Sequence, residues 1–335
     1  MRISSILAAW VFAFRIYAAS EDSLGVYDNT YYNDLRDKFS VYTYGIIKLN
    51  SIEFKNPSSD TIVRYKPNEK FNLGLGFNYK WAGLSAAFNL KFINNDDELH
   101  GKTQCFDLQS DFFSRKFLTS VNLQTYKGFF WENINRFDTT WNVRDSVPLR
   151  PDIITVGFGV NSIYAFNFEK FSLKAPYVHT EWQKRSAGSW LVGGHLSTYS
   201  LTSESLIIPL FLRSAFPVYN RTMNIVTSSI GGSAGYSYTF VFFEEYYINA
   251  LLMVGISLQS YRFYGPSNRL VSDDVKASTK SSFRLSMGFN NDKCYYGISL
   301  ISESFPLKNS FQSTFVYNYG RLRLYYGRRF NLNKL

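Results

Sequence analysis

Between Phe71 and Phe92 apolar and polar positions alternate along the chain. Phe71, Leu73, Leu75, Phe77 and Tyr79 are apolar, while Asn72, Gly74, Gly76, Asn78 and Lys80 between them are small or polar. Past Trp81-Ala82-Gly83 the phase reverses: Leu84, Ala86, Phe88, Leu90 and Phe92 are apolar, with Ser85, Asn89 and Lys91 between. Side chains of a strand change face at every residue. Pairing Tyr79 with Leu84, and so on to Phe71 with Phe92, therefore puts every apolar residue on one face of one hairpin. Each arm reaches the ~9–11 residues that a tilted membrane-crossing strand needs.

The pattern recurs. Phe106, Leu108, Ser110 and Phe112 share one face and Asp107, Gln109 and Asp111 the other. After Ser114-Arg115-Lys116 the outer set is Phe117, Thr119, Val121 and Leu123, with Ser120, Asn122 and Gln124 inside. Phe283, Leu285, Met287 and Phe289 similarly face Cys294, Tyr296, Ile298 and Leu300, with Ser282, Arg284, Ser286 and Gly288 on the lumen side. Two less regular hairpins join Tyr236–Phe242 to Ile248–Leu258, and Val178, Thr180 and Trp182 to Trp190, Val192, Gly194 and Leu196.

Five hairpins, a first strand at 38–48 and a closing strand at 320–330 give about twelve strands, an even number as single-chain barrels require. The closing strand carries Leu322, Leu324, Tyr326 and Phe330 outward and Arg321, Arg323, Tyr325 and Arg329 inward. It must pair with the first, because an open edge in lipid leaves backbone groups unsatisfied. The expected fold is an all-β transmembrane antiparallel barrel over residues 38–330, with a tail at 331–335. Residues 153–168 (IITVGFGVNSIYAFNF) would make the strand number odd, so they are read as a short helix or folded-in loop plugging the mouth. Short hairpin turns belong on the periplasmic side and the longer connections, among them 197–233 with Gly231-Gly232, outside. Both termini then fall in the periplasm, with 21–37 lying there or filling the lower mouth.

Composition agrees with this picture. Mean hydropathy is −0.17, as expected where strands alternate and average out, and aromatic residues make up 19% of the chain. Girdles at both membrane interfaces give that excess a place. Met1–Ser20 reads as a secretory signal, with Arg2, an apolar core at Ile6–Phe14 and the small residues Ala18-Ala19-Ser20. Its removal takes away Arg2 and Arg15, so the formal charge falls from +10 by two to +8. The remaining Lys and Arg are dispersed, which favours lipid headgroups or lipopolysaccharide as counter-charges over nucleic acid. Cys105 and Cys294 lie in separate strand patterns and are expected as free thiols.

Three stretches carry a likeness to a known family: YDNTYYNDLRDKFSVYTYGIIK at 27–48, YKPNEKFNLGLGFNYKWAGLSAAF at 65–88 and FNFEKFSLKAPYVHTEWQKRSAGSWLVGG at 166–194. They resemble a bacteroidete outer-membrane family catalogued as domain-of-unknown-function family 4421, over nearly the whole mature chain. The resemblance implies an outer-membrane barrel and supplies no activity, ligand or catalytic residue.

The candidate chemistry is sparse. His179 and His195 fall on the lumen face of the 177–199 hairpin, directly opposite one another if its turn centres near Ala187, with Glu181 two residues along. Two imidazoles and a carboxylate could bind a transition metal or activate Ser197 or Ser186. The competing reading is two histidines filling a polar lumen, because zinc sites normally show a further defined ligand. Asp107, Asp111, Lys91, Arg284, Arg321 and Arg323 form a mixed-charge interior, either a selective channel wall or ion pairs that stiffen a narrow barrel. Gly74-Leu75-Gly76 lacks the following helix of a dinucleotide site; lumen-side glycines there let another segment approach. No cofactor motif is present. The sequence favours a non-enzymatic pore, transporter or surface-assembly scaffold in the outer membrane. The alternative is a membrane-embedded enzyme acting on lipid or lipopolysaccharide.

Overall fold

The computed structural model describes residues 27–80, 82–89, 96–138, 141, 147–308 and 313–332. Met1–Ser20, Trp81 and Lys91 lie outside them. Among the described residues sixteen strands carry the fold. In chain order they are β1 (Tyr32–Asp34), β2 (Phe39–Lys48), β3 (Ser51–Asn56), β4 (Thr61–Lys66), β5 (Asn72–Tyr79), β6 (Ala82–Asn89), β7 (Gln104–Phe113) and β8 (Phe117–Trp131). Then follow β9 (Leu149–Ala165), β10 (Glu181–Gln183), β11 (Ala187–Thr202), β12 (Asn224–Phe242), β13 (Tyr246–Tyr264), β14 (Leu270–Asn290), β15 (Cys294–Lys308) and β16 (Thr314–Phe330).

Fourteen strands form one antiparallel sheet. Hydrogen-bonded neighbours close a ring of ten: β16, β15, β14, β13, β12, β11, β9, β8, β4, β3 and back to β16. The lower part of β16 bonds instead to β2, which leads on to β5 and β6, and β7 lies on β8. The end bearing the tight turns at 114–116, 243–245 and 291–293, with both described chain ends, is called lower here. The hairpin pattern implies twelve wall strands; the closed ring holds ten, and β2, β5, β6 and β7 are extra strands of the same sheet.

Lipid outside and polar groups inside account for this arrangement. On β13 the outward residues Ile248, Ala250, Leu252, Val254, Ile256 and Leu258 are all exposed, and Asn249, Leu251, Met253, Ser257 and Gln259 are buried inside, with inward Gly255 half-buried. Phe242, Tyr246, Phe289, Tyr296 and Tyr326 fall in one cross-strand row on five consecutive strands near the lower rim. Their rings pack at 5.1–6.3 Å between centroids from Phe242 to Tyr296. Amphipathic tyrosines in such a row mark a hydrocarbon–water boundary. Replacing Leu252 by Arg is expected to cost ~2–4 kcal/mol if it lies near the bilayer midplane, read from urea unfolding in lipid vesicles.

Three sequence expectations change. The first hairpin is tighter: Tyr79 pairs with Ala82, Phe77 with Leu84 and Leu73 with Phe88. The second and last hairpins also slip by two, with Phe112 on Thr119 and Phe289 on Tyr296. Periodicity of two fixes which face a residue takes, but a shift of two residues keeps every face, so the pattern could not set the register.

The plug is also not where parity placed it. Residues 153–165 belong to β9, a wall strand with Val156 and Phe158 outward and Thr155 and Asn161 inward. Gly157 and Gly159 are not turn residues but inward positions without side chains, and the Tyr199 ring lies against Gly157. Val178–Trp182 is not an arm of a wall hairpin. Pro176 and His179, whose φ is +62°, break any extended run there. Residues 166–186 instead fold into the lower mouth, where β10 pairs with β1 of the N-terminal segment. One expected strand is exchanged for another, and the barrel that closes has ten strands.

Strands also run farther up than their apolar stretch. β11 reaches Thr202 and β12 begins at Asn224, so Gly231 and Gly232 lie in the wall opposite Ser257 and Ile256. Their upper thirds are polar or glycine-rich and read as loop.

Candidate functional site: the sealed lumen

The interior has three layers, and the inward residues of one strand traverse them. From the bottom, β13 offers Tyr247, Asn249, Leu251 and Met253, then Gly255, Ser257 and Gln259, then Tyr261 and Phe263.

The lowest layer is the 166–186 segment. Phe171 and Leu173 pack against Leu251, Met253, Leu191 and Leu118, anchoring it by apolar burial. Its polar groups are satisfied by the wall: Tyr177 donates to Asn249 at 2.6 Å, Ser286 Oγ to the Pro176 carbonyl at 2.8 Å, and Asn290 to the Glu181 carbonyl at 3.0 Å. Arg329 donates to the His179 carbonyl. Within the segment Glu181 accepts from Ser172 and faces Lys174 at 3.4 Å. His179 stacks on Tyr295 at 4.5 Å, and its Nε2 lies 3.2 Å from the Tyr247 hydroxyl.

Burial, reinforced by the Arg323 and Arg329 guanidiniums, holds the His179 imidazole well below its ordinary value of 6.5. The folded plug therefore binds this proton less readily than an unseated one. Its contribution to seating is complete above about pH 6.5 and is lost as pH falls below that value. Amide exchange over 174–183, corrected for intrinsic rate, should accelerate between about pH 7.5 and pH 5. His179→Gln should flatten that dependence, and equal dependence in both proteins would refute the assignment.

The middle layer is charged. Glu303 of β15, 1% exposed, lies 3.2 Å from Lys280 and 3.7 Å from Arg284 of β14. Lys280 also donates to Asn161 at 3.2 Å and sits over the Phe305 ring. Asp111 pairs with Arg321 at 2.5 Å and Asp107 with Lys48 at 3.0 Å. Beside Lys280 a cavity of about 20 Å³ is lined by Asn161, His195, Ser197, Tyr317 and Tyr319. That is room for about one water. Gly157 and Gly159 on its β9 side carry no side chain, and the Asn122 side chain and the Tyr199 ring lie against them.

The upper layer is apolar. Ile207, Ile208, Phe216, Val218 and Tyr219 from the 203–223 connection pack on Ile52, Phe54, Val63 and Tyr65 of the β3–β4 hairpin, and on Phe263, Leu307 and Phe315 of the wall. Tyr65 donates to the Ile207 carbonyl at 2.6 Å, and Tyr219 meets Phe54 edge-on at 5.0 Å. Tyr219→Ala should cost ~3–5 kcal/mol as a cavity in a closed aromatic cluster, measured by denaturant unfolding in micelles.

The histidine cluster expected from the sequence is not assembled. His195 is in the middle layer on β11, with Asn161 and Gly231 as its strand partners and Ser229 Oγ 3.2 Å from its Nε2. His179 and Glu181 are in the plug. Among the described residues no group of three or more His, Cys, Asp or Glu side chains could hold a metal ion. Asp107, Asp111, Arg284, Arg321 and Arg323 do face the lumen. Lys48, Lys280 and Glu303 were missed, although extending the Cys294–Leu300 alternation two steps places Glu303 inside. Over Gly74 and Gly76 lies no separate segment but the rings of Tyr44 and Tyr42 from the neighbouring strand β2. Both cysteines are free, Cys105 exposed and Cys294 half-buried.

A family model described as a domain of unknown function, DUF4421, matches residues 26–330. No curated protein matches the chain. Among solved structures, the outer membrane protease OmpT from Escherichia coli aligns at 8% identity and TM-score 0.39, covering 89% of this chain and 98% of that one. The translocator domain of autotransporter NalP from Neisseria meningitidis aligns at 8% identity and TM-score 0.35, covering 98% of each chain. The Pseudomonas putida toluene transporter TodX aligns at 7% identity and TM-score 0.28, covering 88% and 90%.

Proposed function

We propose that this chain, which belongs to the family described as "Domain of unknown function (DUF4421)", is a non-enzymatic transporter of the outer membrane whose lumen is shut at rest by two seals in series. One observation supports this above a passive scaffold or an open pore. A charged chamber is closed below and above by connecting segments, 166–186 and 203–223, and not by the wall strands themselves. A scaffold needs no buried charge, and a constitutive pore needs no seals. Barrels near twelve strands are wide enough for either a filled or a conducting interior, so what fills them decides. The tight turns and both described chain ends then face the periplasm, and the 203–223 seal faces outward.

An embedded lipid hydrolase is the competing reading. The His195–Ser229 pair could serve it only from inside the lumen, away from lipid. Planar-bilayer recording of the refolded chain beside a lipase assay separates the possibilities. The expected result is a silent membrane with no hydrolysis. A steady open conductance would make the chain a simple pore, and lipid hydrolysis would make it an enzyme.

A further inference from the structure

We infer that the outer wall holds one glycerophospholipid in a groove near the lower rim, its acyl chains across β13–β16 and β2 and its phosphate at Arg328. The inference rests on the orientation proposed above, which puts the lower rim in the periplasmic, phospholipid leaflet, and not on transport. A closed wall is ordinarily convex toward lipid and offers it no pocket. Here a concavity of about 770 Å³ opens on the outer face. Its floor is one cross-strand row, Ile248, Met287, Ile298, Leu324, Gly45 and Leu73, in register on β13, β14, β15, β16, β2 and β5. Tyr246, Tyr296 and Tyr326 of the boundary row line its lower side. Outward Leu285, Phe289, Ile298 and Leu300 are only half-exposed, whereas the outward residues of β13 are exposed from Ile248 to Leu258.

The inner face accounts for the dip. Between the two outward rows runs an inward one, Tyr247, Gly288, Gly297, Tyr325 and Tyr44. Gly288 and Gly297 are cross-strand partners without side chains. The Tyr247 and Tyr325 hydroxyls meet at 2.6 Å, with that of Tyr325 in the space a Gly297 side chain would take. A strand glycine lets another group come close to its backbone. Two of them side by side let β14 and β15 sink toward the tyrosines, which hollows the wall outside.

Charge at the rim selects the head. The next outward row below the tyrosines holds Cys294, Arg328, Val41 and Phe77, and of these four Arg328 carries charge. It is exposed one outward step below Tyr326, at the depth where headgroups meet the boundary aromatics. Among the described residues it makes no ion pair and lies over the Phe330 ring at 5.8 Å. A phosphodiester is the anion that a phospholipid brings to this depth, and a guanidinium binds it through two parallel N–H bonds. The chains attached to it then rise into the apolar groove directly above. A loop or open strand of a polypeptide laid there would face hydrocarbon with unsatisfied backbone groups, which a lipid does not have.

The test uses the full refolded chain in nonionic detergent with phosphatidylglycerol added, read by native mass spectrometry. The wild type should retain one lipid, and Arg328→Gln should weaken retention roughly tenfold, the loss of one charge-assisted contact. Ile298→Trp fills the floor of the groove with an apolar ring, leaves the inner face alone and should abolish retention. Leu252→Trp on the outward face of β13, and Arg262→Gln on the outward face of its upper end, should leave retention unchanged. Equal retention in Ile298→Trp and Leu252→Trp would mean that lipid coats the wall without a site and would overturn the proposal. So would a dimer that excludes lipid, which would make the groove a seat for a second copy. Retention of lipid A in preference to phosphatidylglycerol would overturn the occupant and the orientation together. A steady current through the wild type would instead sink the transport reading and leave the groove standing.

Discussion

Glu303→Ala is expected to destabilise the barrel by ~3–5 kcal/mol, the cost of removing the partner from a buried ion group. Lys280 and Arg284 are 3% and 2% exposed, and Glu303 is the carboxylate within ion-pair distance of both. Without it Lys280 is left with the neutral Asn161 and Arg284 with the neutral Ser120 as hydrogen-bond partners in a low-dielectric lumen, and the nearby carboxylate of Asp111 is already paired with Arg321. Already in the native chain, Nε and Nη1 of Arg284 find no hydrogen-bond partner. The group is therefore poorly placed to absorb a further loss. The converse substitution sharpens the test. Replacing Lys280, Arg284 and Glu303 together by Met, Met and Leu should be neutral or stabilising, because desolvation of the ions then no longer has to be offset. Urea unfolding in micelles, followed by heat-modifiable gel mobility, reads both variants. A Glu303→Ala cost below about 1 kcal/mol would show water reaching the trio freely, as it does at surface pairs.

The second large effect is on conductance. Cutting either seal alone, by replacing 170–184 or 206–220 with a short Gly-Ser turn, should leave the bilayer silent, because the other still closes the lumen. Cutting both should give stepwise openings. The seals draw on separate parts of the chain, the lower on Leu251 and Met253 and the upper on Phe54, Phe263 and Phe315, so their effects should combine only through this series closure. Full conductance after the lower cut alone would mean that the aromatic layer does not block ions. Silence after both cuts would mean that the charged middle layer is itself the barrier.

How far the residues alone could be read follows from what each signal encodes. Inward and outward faces were legible over the apolar stretches of β7, β8, β13, β14 and β16, since face depends only on odd or even position. Register was not, because Phe289 meets lipid equally well opposite Cys294 or Tyr296. The exchange between 153–165 and 177–183 has a different cause. Gly157 and Gly159 look like turn residues and Val178, Thr180 and Trp182 look like a strand, whereas tertiary contacts decide both: Tyr199 fills the space beside Gly157, and Arg329, Ser286 and Asn290 hold 176–181 inside the barrel. The mixed-charge lumen was visible in part. Its anionic centre, Glu303, lay beyond the last apolar residue of β15, where the alternation carries no hydrophobic marker. The pairing of His179 with His195 depended on a hairpin that does not form. The two apolar seals left no local pattern, because each is assembled from connections distant in sequence.

The central claim is a wall with hydrocarbon on one side and a polar, sealed interior on the other. Single nitroxide labels at each position from Ile248 to Leu258, in nanodiscs, test it most directly. Oxygen accessibility should be high at the even positions and low at the odd ones along the whole run, following lipid-facing Ile248, Ala250 and Leu252 against buried Asn249, Leu251 and Met253. A profile without that two-residue period, or one with both phases open to water-soluble relaxers, would contradict it.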